Sequence, residues 1–213
     1  MRYVVYGAGA IGGTIGARLL MAGDEVTLIA RGPHLERIQR DGLVFSEPNG
    51  TTTLDIPAAA HPDDVEFGDG DVVILAMKSQ DTQSAVDALA AAAPPSIHVV
   101  CAQNGVNNER VALRSFANVH ACFVMVAADH LDPGVVHRFG SPFVGILDLG
   151  RYPRGADDAT ERIGSDFRRA GFRCTVDPAV MLAKYRKLHF NLGNVVQALL
   201  GRGDRGDLCL LYT

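Results

Sequence analysis

The hexapeptide Gly7-Ala8-Gly9-Ala10-Ile11-Gly12 constrains this chain more than any other stretch, because of what flanks it. Directly before it, Tyr3-Val4-Val5-Tyr6 predicts a strand over residues 2–6. Directly after it, Ile11, Ile15 and Leu19 recur at helical spacing and predict a helix from Ala10 to Met21. In a strand–turn–helix of this form each glycine has a mechanical task. Gly7 allows the tight turn, Gly9 lets the backbone approach a pyrophosphate, and Gly12 lets the helix pack closely on the strand. The free N–H groups and positive end of the helix then form an anion site, which assigns residues 7–12 to a dinucleotide diphosphate.

Strand and helix signals go on alternating, as they do where parallel strands are joined by crossover helices. Gly23-Asp24 turns the chain into a second strand over 25–29, and a short polar helix follows over 35–40. Residues 43–56 read as a hairpin around Pro48-Asn49-Gly50. Residues 71–77 form a near-continuous apolar run, the pattern of a central strand buried on both faces. A helix over 81–93 ends at Pro94-Pro95, and a buried strand over 97–102 and a helix near 107–115 come next. Strand-like segments over 119–127, 134–139 and 143–147 should extend the sheet with mixed direction. A helix over 156–170 and a strand near 172–176 precede Asp177-Pro178, an N-cap and first-turn proline opening a long helix to about residue 200. The expected fold class is α/β: a Rossmann-type NAD(P)-binding domain with a mostly parallel sheet over residues 1–176, then the first long helix of a helical domain over 177–213.

Composition narrows the partner. With 47% hydrophobic and 21% charged residues the chain has the makeup of a soluble globular protein. A formal net charge of −4, with cations scattered apart from Arg151/Arg154 and Lys184/Arg186/Lys187, gives no footprint for nucleic acid or an anionic membrane. A small molecule is the expected partner. Cys101, Cys122, Cys174 and Cys209 are widely spaced and form no CxxC pair, so they read as buried thiols of a reducing compartment, with no metal site. The N-terminus lacks a signal-peptide pattern, and no apolar run reaches the roughly 20 residues that span a bilayer. The expected location is cytoplasmic.

The end of the second strand selects the cofactor. An NAD site usually places an acid there for the ribose hydroxyls, whereas this chain has Ala30-Arg31. An arginine pairs with a 2′-phosphate, so NADP(H) is expected. Lys78 and Asn104 each follow the carboxyl end of an apolar strand, where open α/β sheets place their ligand crevice. On the long helix Lys184, Lys187, Asn191 and Asn194 fall on one stripe, with Leu182, Leu188, Leu192, Val195, Val196 and Leu199 filling much of the rest. Such a stripe either faces water or lines a polar cleft. His61, His98, His120, His130, His137 and His189 show no metal-ligand spacing and are assigned no role, and no Gly-x-Ser-x-Gly elbow supports a serine hydrolase.

Taken in order, these segments resemble the ketopantoate reductase (2-dehydropantoate 2-reductase) family over residues 1–200. Met77-Lys78-Ser79-Gln80 is similar to the family's strand-end lysine motif and Gln103-Asn104-Gly105-Val106 to its Asn-Gly motif. Tyr185-Arg186-Lys187-Leu188 resembles the segment carrying its hydride-transfer lysine, with Asn191 one turn later. The resemblance implies NADPH-dependent reduction of 2-dehydropantoate to (R)-pantoate, on the route to pantothenate and coenzyme A. Lys187 would be the proton donor, Lys184 the competing assignment, Asn104 and Asn191 would orient cofactor or substrate, and Lys78 would add charge near the nicotinamide. Family members continue into a helical domain that supplies a serine and a glutamate to the substrate. That domain is expected to be largely missing here, which leaves a non-catalytic NADP-binding fragment, or a reductase of another 2-keto acid, as alternatives. The uncovered face of the long helix predicts self-association, with a homodimer as its simplest form.

Overall fold

The computed structural model describes residues 1–140 and 142–189. The chain opens with β1 (Arg2–Tyr6), α1 (Ala10–Met21) and β2 (Glu25–Ile29), the strand–turn–helix–strand unit that the glycine spacing predicts. Next come α2 (Gly32–Asp41), the hairpin β3 (Leu43–Glu47) and β4 (Gly50–Leu54), and the two-residue β5 (Ala58–Ala59). The central segments are β6 (Val72–Leu75), α3 (Thr82–Ala92), β7 (His98–Cys101) and α4 (Asn108–Ala112). They are followed by β8 (Asn118–Met125), β9 (Ala128–Asp129), β10 (Val135–Arg138), β11 (Ile146–Arg151) and α5 (Asp158–Arg169). A last helix, α6, begins at Val180 and is described to residue 189. Asp177 caps its approach, its carboxylate accepting from the Ala179 N–H at 2.8 Å.

The main sheet has seven strands in the order β11-β8-β7-β6-β1-β2-β5. Every pairing in it is parallel except β11 on β8. The apolar run predicted as the central strand is β6, fourth of the seven and buried at every position. Side chains alternate along the strands: Tyr3 and Val5 enter one core with α1, α2 and α5, while Val4, Val73 and Leu75 enter a second core with α3 and α4.

The second half of the sheet differs from the sequence reading. Residues 135–138 leave the main sheet and build a separate one of order β4-β3-β10-β9, with β10 parallel to β3. The antiparallel edge of the main sheet lies at 146–151 rather than 143–147. Near 172–176 there is no full strand; Arg173 and Val176 make isolated parallel bridges to Ile146 and Leu149. The small sheet is admitted by α1, which has glycine on both faces. A Cβ on Gly16 would come within 2.7 Å of Leu28 on the main sheet, and one on Gly13 within 2.7 Å of Val136 on β10. The glycines thus let one helix lie tightly between two sheets.

At the amino ends of the parallel strands the polar groups are joined in networks. Arg2 Nε donates to Asp71 at 2.9 Å. The Tyr3 hydroxyl donates to Asp166 at 2.6 Å, and Arg169 bridges Asp166 and Asp24 at 2.7 and 2.5 Å. His98 lies 3.1 Å from His120, whose other ring nitrogen meets the Thr160 hydroxyl at 3.2 Å; Thr160 in turn donates to Asp157 at 2.7 Å.

Candidate functional site

The carboxyl ends of the same strands are built for a ligand. Gly7 has φ +101°, and a Cβ there would lie 2.7 Å from the Met77 nitrogen. A Cβ on Gly12 would collide with the Gly7 carbonyl oxygen. Gly9 differs from both: a Cβ there would meet nothing within 4 Å, because the residue faces open space. No side chain caps α1 and no acid lies in its first turn, so its amides and positive end are left for an anion.

Two cavities meet at this turn. The larger, about 870 Å³, is lined by residues 7–11 together with Arg31, His34, His61, Lys78, Gln80, Asp81 and His130. The smaller, about 390 Å³, is lined by Ile11, Ala102, Asn104, Val124, Met125, Val126, Ala127 and Lys187. Ile11 belongs to both, which makes them one cleft bent over the glycine turn. The crevice at the carboxyl ends is where ligands of doubly wound sheets bind.

The sequence-predicted residues divide between the two cavities. Arg31 precedes α2 on the wall of the larger one, with its side chain 87% exposed. No acid stands at the end of β2, yet one reaches Arg31 from fifty residues on, since Asp81 lies 3.3 Å from the guanidinium. Lys78 is exposed on the same cavity, away from the smaller one. Asn104 and Lys187 come together in the smaller cavity, Lys187 Nζ donating to Asn104 Oδ1 at 2.8 Å and to the Val124 carbonyl. The ammonium also sits 5.4 Å from the centre of the Phe123 ring, a cation–π contact. Burial, and next the charge of Lys184, lower the Lys187 pKa. Asn191, like Asn194 and Cys209, lies outside the described residues.

The structure separates the two candidate lysines. Lys184 is 4% exposed, and its ammonium donates to the carbonyls of Cys101 and Gln103 at 3.3 and 3.1 Å and to the carboxylate of Glu109. It is sealed behind the site, while Lys187 opens into it. Lys184 and Lys187 therefore face the protein, while Leu182, Tyr185, Arg186, Leu188 and His189 are exposed.

The loop carrying Asn104 is held on all sides. Its carbonyl accepts from the Ser79 hydroxyl at 3.1 Å and from Asn108 Nδ2 at 2.9 Å. Gln103 Nε2 donates to the Met77 carbonyl at 3.0 Å and to the Thr82 hydroxyl at 2.8 Å, and that hydroxyl donates to Asn108 Oδ1 at 2.9 Å.

Sequence reasoning missed His34. This buried ring donates through Nε2 to the Ala8 carbonyl at 2.8 Å, while Nδ1 accepts from the Gly134 N–H at 2.8 Å. It ties the glycine turn to the small sheet, with its ring 3.9 Å from that of His130. Burial lowers its pKa, which keeps the ring neutral and able to both donate and accept. Its one signal in the sequence, a place just after Gly32-Pro33 in the first turn of α2, is shared by many unremarkable residues.

Residues 3–153 match the model of the family Ketopantoate reductase PanE/ApbA. The chain belongs to the ketopantoate reductase family. It is 34% identical to the 2-dehydropantoate 2-reductase of Halobacterium salinarum, over 98% of this chain and 68% of that protein. It is 32% identical to the 2-dehydropantoate 2-reductase of Pyrococcus horikoshii, over 94% and 64%. Among solved structures it resembles a PanE/ApbA family ketopantoate reductase from Ralstonia eutropha, with TM-score 0.79, 31% identity, and 88% of this chain and 60% of that one covered. It also resembles the 2-dehydropantoate 2-reductase of Geobacter metallireducens, with TM-score 0.84, 27% identity, and coverage of 94% and 66%. The chain spans about 60–68% of the length of these ketopantoate reductases.

Proposed function

We propose that this protein reduces 2-dehydropantoate to (R)-pantoate with NADPH, the reaction for which its relatives are named. The observation that carries the reading is the bent cleft, with an uncapped helix and an open-faced glycine at one end and a half-buried lysine held on an amide at the other. The residues fit a dinucleotide. The glycine turn 7–12 holds the diphosphate, Arg31 meets a 2′-phosphate, and Lys78 adds positive charge along the same wall. When bound, the nicotinamide supplies the hydride that reduces the ketone carbon.

The chain's own residues do the rest. Lys187 Nζ donates a hydrogen bond to the ketone oxygen and then its proton, so that negative charge does not accumulate there. A lowered pKa suits this step, because the proton is released more readily. Asn104 holds the ammonium at the cleft, and Asn191, four residues further in sequence, is the proposed second orienting amide. Val124, Met125 and Val126 give the smaller cavity an apolar wall that fits a branched aliphatic substrate. A boundary at 176/177 separates the nucleotide-binding unit from the helical one, and the outward Leu182, Tyr185 and Leu188 support self-association of the chain.

The test is a fluorescence titration with NADPH and NADH, followed by 2-dehydropantoate in the same cuvette. NADPH is expected to bind about tenfold tighter, equivalent to about 1.4 kcal/mol, and Arg31→Ala to remove that preference. Substrate should then oxidise the bound NADPH. Binding without oxidation would leave a nucleotide-binding protein that lacks this reaction, and binding of neither nucleotide would sink the reading altogether.

A further inference from the structure

Lys184 and Glu109 are 4% and 0% exposed, so both charges of this ion pair have left water. Removing two charges from water is expensive, and well-packed apolar residues in their place would hold two helices together at least as well. Glu109 Oε2 is moreover buried without a hydrogen-bond partner. A half-satisfied buried carboxylate is a feature that stability alone does not explain.

Its placement does. The three acceptors of Lys184 are the Cys101 carbonyl at the end of β7, the Gln103 carbonyl in the following loop, and the Glu109 carboxylate on α4. One ammonium thus ties α6 to the loop that carries Asn104. Asn104 follows Gln103 directly, and Lys187 lies one helical turn after Lys184. Both partners of the Lys187–Asn104 contact are therefore held from the same clamp.

We propose that the buried Lys184–Glu109 pair is the positioning device for Lys187, fixing the depth and rotation of α6 that bring its ammonium onto Asn104 and into the smaller cavity. The proposal rests on Lys187 as the proton donor. It also has an electrostatic side. The groups that face Lys187 are Asn104 from the loop after β7, and the Val124 carbonyl, the Phe123 ring and the Cys122 thiol from β8, which burial keeps protonated. From its own helix comes Lys184, with Glu109 behind it. The like charge of Lys184 lowers the Lys187 pKa, so neutralising Lys184 raises it.

Lys78, Lys184 and Lys187 are the lysines of the chain, so isotope labelling at lysine Cε gives a small, assignable set of resonances to follow against pH. In the full chain, without cofactor, Lys184→Met is expected to raise the Lys187 pKa and Lys184→Arg to leave it in place. The double variant Lys184→Met with Glu109→Leu leaves no lone buried charge, and it supplies the measurement should Lys184→Met fail to fold. With NADPH and 2-dehydropantoate, Lys184→Met should lower kcat about tenfold or more at an unchanged KM for NADPH, and Lys184→Arg should recover it to within about threefold. A Lys187 pKa unmoved in the double variant overturns the proposal whatever the turnover. An upward shift in a protein whose wild type turns over no 2-keto acid leaves the positioning role standing and removes the reductase reading instead.

Discussion

The two ends of the main sheet carry similar polar residues and use them in opposite ways. At the amino end, donors and acceptors from distant parts of the chain close on one another: Arg2 on Asp71, Tyr3 on Asp166, His120 between His98 and Thr160. At the carboxyl end, the first turn of α1 is uncapped, Gly9 faces space, Arg31 and Lys78 are exposed, and Lys187 projects into a cavity. Buried polar groups paired within the protein contribute to stability, while those that line an open cleft are available to a ligand. Disturbing one end should therefore change folding, and disturbing the other should change binding and rate.

The largest effect expected is at the carboxyl end. Lys187→Ala should lower kcat by about 10²–10⁴-fold while the melting temperature changes little, as steady-state kinetics and calorimetry would show. A large loss of stability would instead place Lys187 with the closed networks. The amino end should answer to acid. Burial lowers the His120 pKa to about 4 from an ordinary 6.5, so the folded protein keeps the ring neutral where the unfolded chain takes up a proton. Stability is then full above pH 6.5 and falls as pH drops toward 4, by on the order of 2–3 kcal/mol. Urea midpoints at several pH values check this, and His120→Gln should flatten the profile. Turnover should fail on the alkaline side instead, as Lys187 loses its proton. The smallest effect is the sharpest contrast. Gly9→Ala should weaken NADPH binding about tenfold with stability held within about 1 kcal/mol, whereas Gly12→Ala, whose Cβ strikes the Gly7 carbonyl, should lower both. Equal loss of stability in the two variants would erase the distinction between an open and a packed glycine.

What could be read from the sequence was whatever neighbouring residues decide. The Gly7–Gly12 turn, the central strand over 72–75 and the hairpin at Asn49-Gly50 each follow from local spacing or turn chemistry. Motif position and resemblance also named Asn104 and Lys187, which the structure brings together in the smaller cavity. What escaped was set by partners far along the chain. Val135–Arg138 looks like any strand, and its choice of β3 over the main sheet depends on Gly13, more than 120 residues earlier. Nothing local says that Asp81 reaches Arg31 or that His34 links Ala8 to Gly134. The spacing of Lys184 and Lys187 puts both on one stripe, and only Glu109 and the Cys101 and Gln103 carbonyls show which is sealed inside.

The parallel pairing of β10 with β3 has a consequence for synthesis and folding order. The hairpin β3–β4 leaves the ribosome about eighty residues before the strand that completes its sheet, and a parallel partner so remote is entropically slow to recruit. Until it arrives, the outer face of α1 is bare and the Gly134 amide that anchors His34 is absent. The βαβ unit can thus form early, while the small sheet on α1 and the His34 tie between the glycine turn and Gly134 are assembled late. A dinucleotide bound at the glycine turn would act on that last step, favouring the tied arrangement by mass action, so that a ligand of the finished protein would also be a folding ligand for the young chain.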